Sequence, residues 1–238
     1  MNRLGAAAIV VAAALSAVPA GGQTTTAAGP VRKLVYEFGF NTPVASQGNG
    51  TGKETIEILG PAKDGGMMVS GTDYWWNTAR PRATNTCEVY ATGSVTCAER
   101  PYALSPIQLT IFPLLGKNYF KGLNASGTSE WKRDFNVSAA VLPGASGFAG
   151  NLYTWKCDFT LQGKGPVPNA ARYVLILQSG TLTQQGGRYW KANEKAKIVY
   201  DPVAHVPGIV SEERAHIPQR SVYNNDTIEV KLIKDSKG

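Results

Sequence analysis

Histidine occurs only twice and cysteine three times in this 238-residue chain, and that scarcity closes off several kinds of chemistry. A zinc site usually draws four ligands from His, Cys or carboxylates at short paired spacings. Here His205 and His216 stand at long spacing, as do Cys87 and Cys97, and Asp73, Asp158 and Asp226 are scattered with no calcium-loop pattern. No metal and no cofactor are therefore expected. A hydrolase elbow needs Gly-x-Ser-x-Gly on a strand-to-helix turn, and Gly144-Ala145-Ser146-Gly147 misses that spacing. His205 follows Asp201-Pro202 in what reads as a hairpin connection, and His216 lies in a strand ending at Pro218, so neither is placed as a general base. Gly48-Asn49-Gly50-Thr51-Gly52-Lys53 lacks the spacing of a phosphate loop and reads as a flexible hairpin loop. Like charges never run to five, and there is no recognition helix, which argues against nucleic acid as a partner.

Long apolar runs are equally scarce. The one such run, Leu4 to Val18, follows Arg3 and leads into Val18-Pro19-Ala20, a small-residue cleavage pattern. It falls short of the roughly 20 residues a spanning helix needs. Residues 1–20 therefore read as a secretory signal peptide, 21–31 as a small, polar, flexible leader and 32–238 as a single β domain. The expected product is exported, periplasmic or secreted, with no transmembrane span once the signal is removed. Lys and Arg outnumber Asp and Glu 24 to 17, for a formal charge of +7. The basic residues are dispersed, as on a solvated basic surface, and suit anionic envelope polymers or lipid headgroups.

What the chain has in abundance is alternation of period two. Leu34, Tyr36, Phe38 and Phe40 share one face, and Thr55-Ile56-Glu57-Ile58 alternates. Met67 to Trp76 returns after a turn at Asp64-Gly65-Gly66. Tyr153, Trp155, Cys157, Phe159 and Leu161 align, as do Trp190, Ala192, Ala196, Ile198 and Tyr200, and later Ile228, Val230 and Leu232. Further turn signals stand at Gly116-Lys117-Asn118, Pro143-Gly144, Gln162 to Pro166, Gly186-Gly187, Asp201-Pro202 and Asn224-Asn225-Asp226. This spacing predicts a mainly β fold, an antiparallel meander of about ten strands with one apolar face. Such a sheet must curl into a half-barrel or barrel, or pack as a sandwich. At most one short helix is expected, capped by Ser105 with Pro106 at its first position and stopped by Pro113.

TCEVYATGSVTC, from Thr86 to Cys97, reads as a hairpin. With Ala91-Thr92-Gly93 as a three-residue loop, glycine takes the left-handed last position such loops favour. Tyr90 then faces Ser94, Val89 faces Val95, Glu88 faces Thr96, and Cys87 faces Cys97 in a non-hydrogen-bonded pair, close enough for a disulfide. A two-residue loop would misalign the cysteines by one. Cys157 is left as a small buried hydrophobe, with a bond from Cys157 to either hairpin cysteine as the alternative.

IFPLLGKNYF (111–120), GFAGNLYTWKCDF, GRYWKANEKAKIVYDP, HVPGIVSEER and TIEVKLI follow one another in an order similar to exported bacterial half-barrel β proteins of the lipoprotein-carrier type. The resemblance is one of pattern and turn phrases over the C-terminal part of the chain. It implies a fold, and a group whose members often bind acyl chains or act as envelope accessories; it transfers no site residues.

The remaining leads are carboxylates and aromatics. Glu212 and Glu213 are adjacent in a strand and point to opposite faces, so they cannot flank one glycosidic bond. Glu194 falls on the apolar face of its strand; a bulge or a later strand start is expected to return it to solvent. Trp75 and Trp76 must face opposite ways, so one of them lies at a surface or rim. With Tyr153, Trp155 and Trp190 they are the candidate ligand-binding residues, for an apolar cavity or for stacking on sugar rings. The expected function is non-enzymatic binding of an apolar or amphipathic ligand, such as a lipid, in the cell envelope. The alternatives are a carbohydrate or surface-glycan binding module and a hydrolase using Glu194 or Glu213.

Overall fold

In a computed structural model, the structure describes residues 30–42, 49–62, 65–76, 78–81, 83–97, 104–121, 130–141, 153–185, 190–217 and 225–237. The proposed signal and leader lie outside the described residues, apart from Pro30 and Val31. The described residues form eleven strands: β1 (Arg32–Asn41), β2 (Gly50–Pro61), β3 (Met67–Trp75), β4 (Ala83–Val89), β5 (Val95–Cys97), β6 (Trp131–Val141), β7 (Tyr153–Val167), β8 (Ala170–Gln185), β9 (Trp190–Asp201), β10 (Val206–Ile217) and β11 (Asn225–Lys237). Among the described residues one helix, α1 (Pro106–Leu114), stands between β5 and β6.

Neighbours in sequence are neighbours in the sheet, and β11 returns to pair with β1, so the pairing runs round a closed barrel. Closure at the β5–β6 seam pairs only Val95–Cys97 with Ala139–Val141, so among the described residues the rest of β6 has no strand partner on that side. Every pair is antiparallel except β5 with β6, a parallel seam of only three residue pairs. Parallel neighbours cannot be joined by a tight turn and need a crossover, usually helical. Here α1 supplies it from inside. We call the end where β1 finishes and β2 begins the upper end. β5 climbs toward it, α1 descends through the lumen, and β6 climbs again.

Residues on both walls show that the helix is internal. Gln108 reaches Asn85, Glu54 and Gly71 on β4, β2 and β3, while Thr110 reaches Glu212 and Arg214 on β10. Ile107 to Leu114 are all buried. A helix apolar around its whole circumference belongs in a core, and PIQLTIFPL is nearly that. Ser105 caps it, Pro106 opens it, and Gln108 returns a bond to the cap residue, completing a capping box. At the lower end its exit packs on the β4–β5 turn, where Asn118 donates to the Ala91 carbonyl at 2.7 Å. Gly71 makes the upper passage fit: a Cβ there would stand 2.6 Å from the Phe112 ring and 2.5 Å from Glu54 Oε1.

The hairpin register is as expected. Tyr90 donates to the Ser94 carbonyl, Gly93 has φ 91°, and Cys87 pairs with Cys97 at a Cα separation of 4.0 Å, joined by a disulfide. That bond removes Cys157 as a disulfide partner; its side chain lies outside the described residues. The inward faces of β1, β9 and β11 also match the alternation.

Three turn assignments shift. Gln162 to Pro166 belong to β7, and the turn falls at Pro168-Asn169, where Asn169 takes φ 64°. Gly50 to Lys53 begin β2 instead of forming a loop, and Asn225 and Asp226 begin β11. In each case a Gly- or Asn-rich stretch is held extended by pairing with a neighbouring strand, which tertiary context decides and local preference does not. Pro143-Gly144 and Gly186-Gly187 lie outside the described residues.

Candidate functional site

The lumen has two unlike halves. Below, Leu34, Ile56, Ile58, Val69, Ile176 and Ile198 are all at most 7% exposed and pack round the lower turn of α1. Above, the same strands and their neighbours turn buried polar groups inward: Glu54, Asp73, Gln178, Glu194, Glu212, Arg214 and Asp226. On the β1–β3 side this half is aromatic as well as acidic, with Trp75 edge-on to Phe38 and Phe40 at 5.1 and 5.6 Å between ring centres.

Register explains the charged group. Arg214 sits opposite Glu194 on β9 and opposite Asp226 on β11, with Glu212 two residues earlier on the same face. Its guanidinium donates to Glu212 through Nε and to Thr110 Oγ1 through Nη2 at 2.8 Å. Thr110 in turn donates to Glu212 Oε2 at 2.5 Å. Glu194 accepts from Gln178 Nε2 at 2.5 Å, and Gln178 Oε1 accepts from the Tyr119 hydroxyl at 3.0 Å. Gln108 is fully used: its Oε1 accepts from Asn85 at 2.5 Å and from the Ser105 amide, and its Nε2 donates to the Gly71 carbonyl at 3.1 Å and to Glu54. The positive end of the helix dipole lies at this acidic half, which favours its carboxylates.

Burial pushes the Glu194 carboxyl up to about 8, with the Glu212 charge adding to the rise and Arg214 and the Gln178 bond opposing it. Burial also works against the Arg214 charge, but Glu212 and Glu194 outweigh it and hold the guanidinium above its ordinary pKa. Glu194 therefore corrects its expected position: it is 5% exposed, on the inner face, with no bulge beside it. A polar partner, one strand away, makes that burial tolerable. Glu212 and Glu213 do face opposite ways, one into the lumen and one to solvent. Glu212 and Arg214, each about 4% exposed, are bonded to one another and to Thr110 of the helix, and so tie α1 to the wall, while Glu194 is bonded to Gln178 of β8. Among the described residues no group of three or more His, Cys, Asp or Glu could hold a metal, and no helix is long and apolar enough to cross a membrane.

The aromatic candidates divide. Trp75 is buried, its Nε1 donating to Asp73 at 3.3 Å, whereas Trp76 is 56% exposed at the upper rim with φ 53°. Tyr153 lies in β7 with Trp155, and Trp190 opens β9; their side chains fall outside the described residues.

A cavity of about 260 Å³ opens at the lower mouth, a place the sequence reading did not single out. Ile58, Met67, Val89, Tyr90 and Leu115 line it, and Lys117 and His205 stand at its exposed rim. Arg32 also borders it, but its guanidinium is committed. It grips Asp235 through two bonds of 2.9 and 2.8 Å and donates to the Ala204 carbonyl at 2.7 Å. That grip holds the Asp235 carboxyl below the usual range. His205, in the expected hairpin connection, has φ 54°. Four separate turns build this mouth, so no short motif marks it. A second hollow of about 510 Å³ lies along β8–β11, where Lys195, Lys197, Glu213 and Glu229 give it mixed charge.

No family model matches the chain, and no curated protein and no solved structure is detectably similar to it.

Proposed function

We propose that the protein is an exported, non-enzymatic β-barrel that binds an amphipathic ligand at its lower mouth. The observation that carries this reading is the composition of the 260 Å³ cavity, with an apolar floor of Ile58, Met67, Val89 and Leu115 under a rim bearing Lys117 and His205. Small-molecule pockets are mostly apolar with a few placed polar groups and run from roughly 300 Å³ upward. This cavity is just below that range and suits a short acyl chain with an anionic end. A hydrolase is less well supported: Glu194 and Glu212 are buried and engaged, and Glu213 faces the opposite side of the wall.

The test is titration with a fluorescent medium-chain fatty acid. The wild type should bind saturably, and Met67→Glu, which puts a charge on the apolar floor, should weaken binding about tenfold or more. Absence of saturable binding, or an unchanged affinity in Met67→Glu, would refute the reading. One observation favours a second reading, a surface-glycan module: the exposed Trp76 indole at the upper rim. Because Trp75 is packed against Phe38 and Phe40, that stacking would fall to Trp76 alone. Glycan retention undiminished in Trp76→Ala would dismiss it.

A further inference from the structure

The outer wall of the barrel is unevenly apolar. Of the large apolar side chains exposed among the described residues, Trp76 and Ile217 stand at the upper end. The other five, Val31, Leu59, Val203, Ile209 and Ile233, all lie toward the lower end. Strand pairing gathers several of them into one band. Leu175 of β8 is opposite Val199 of β9, and Val199 is opposite Ile209 of β10. Ile233 of β11 lies two residues from Lys231, the partner of Ile209, and beside Val35, at a register shift between β11 and β1. Below the band, Val203 projects from the β9–β10 turn at 72% exposure.

Cationic side chains border this band. β11 presents Lys231, Lys234 and Lys237 along it, and Lys197 follows Val199 two residues up β9. Of the nearby acids, Asp235 is already held by Arg32 and Glu37 of β1 stands opposite Lys231, which leaves Lys234, Lys237 and Lys197 as the cations bordering the band. The chain as a whole carries a formal +7.

We propose that this lower end docks on an anionic lipid surface, with Val203, Ile209 and Ile233 entering the boundary between headgroups and acyl chains and the lysines meeting lipid phosphates. Charge complementarity selects this occupant: apolar side chains interleaved with lysines are the composition that binds acidic bilayers. A second copy of the chain suits the band less. A stable interface wants a packed patch of about 800 Å² on each partner, with charge depleted at its centre. Here Lys231 stands inside the band, and the most exposed residue is a turn tip. The cavity at the lower mouth shares Ala204 and His205 with the turn that bears Val203, so a docked barrel would hold that mouth near the lipid. Docking uses the outer wall and ligand binding the lumen, so either can fail without the other.

Flotation of the full chain with vesicles decides it. The protein should float with vesicles of phosphatidylcholine and phosphatidylglycerol in equal parts and stay behind with phosphatidylcholine alone. Val203→Asp with Ile209→Asp should weaken binding about tenfold, and Lys234→Glu with Lys237→Glu should steeply reduce it at low salt. Ile217→Asp, at the opposite end, should leave it unchanged. All these positions are solvent-facing, and circular dichroism would confirm that each variant remains folded. The proposal is overturned if the wild type ignores anionic vesicles, or if Ile217→Asp weakens binding as much as the lower-end pair. It is equally overturned if light scattering finds a dimer that Ile209→Asp dissociates, which would assign the band to a second copy.

Discussion

The lower lumen is held together by fit and the upper lumen by bonds. Ile56, two residues below Glu54 on β2, contributes the way any core residue does, through apolar area removed from water. Across the barrel Glu212 and Arg214 contribute only as members of a bonded set, because a buried charge without its partner costs more than the pair returns. The same helix crosses both halves, its capped start among carboxylates and its end among aliphatic and aromatic groups. The difference teaches that the polar half positions α1 in register and rotation, while the apolar half supplies most of the driving force for keeping it inside.

Three substitutions separate these roles. The largest effect is expected from Arg214→Ala, which strands Glu212 and Asp226 in the lumen and should cost about 3–5 kcal/mol by denaturant unfolding. Ile56→Ala, in the apolar half, should cost about 3 kcal/mol and do so equally at every pH, since it removes methyl groups and leaves a cavity. If Ile56→Ala were the more damaging of the two, the polar half would be less interdependent than its bonds imply. Glu194→Gln is the mildest, under about 1 kcal/mol at mildly acidic pH, because it imitates the protonated carboxyl. Its signature is the pH profile. The Glu194 carboxyl holds its proton in the folded state up to about 8, against a reference value of 4.5. The folded chain therefore binds more protons than the unfolded one between these limits. The resulting stability is fully present below 4.5 and is lost as pH rises toward 8, by up to about 1.4 kcal/mol per pH unit. Glu194→Gln should remove that slope; identical slopes in the two proteins would place the proton elsewhere.

The features legible in the sequence were the local ones. The Cys87–Cys97 register followed from one turn, and the inward faces of β1, β9 and β11 from simple alternation. Ser105 and Pro106 marked the start of the helix, because caps act within a few residues; Pro113, expected to stop it, lies inside its last turn, and the helix runs on to Leu114. Its location inside the barrel was not legible: PIQLTIFPL announces burial without saying what surrounds it. Glu194 was misjudged for the same reason. Its burial is met by a bond from Gln178 on β8 and by the charge of Arg214 on β10, and both come beside it only once β9 is paired on its two sides. The lower cavity is assembled from β2, β3, the β4–β5 turn, the helix exit and the β9–β10 turn, so each contributor looks ordinary in isolation.

The pairing of β1 with β11 has a consequence for how the molecule comes into being. Arg32 and Asp235, which grip one another across that pairing, are 203 residues apart in the chain. While the polypeptide emerges from its N-terminal end, β1 carries one unpaired margin until almost the last residue arrives. Contacts so distant in sequence form slowly, and an open margin recruits other chains in the meantime. Assembly of this barrel is thus a race between self-closure and aggregation. Shortening the chain by its final strand would decide that race against the native fold, even though β1 to β10 would be intact.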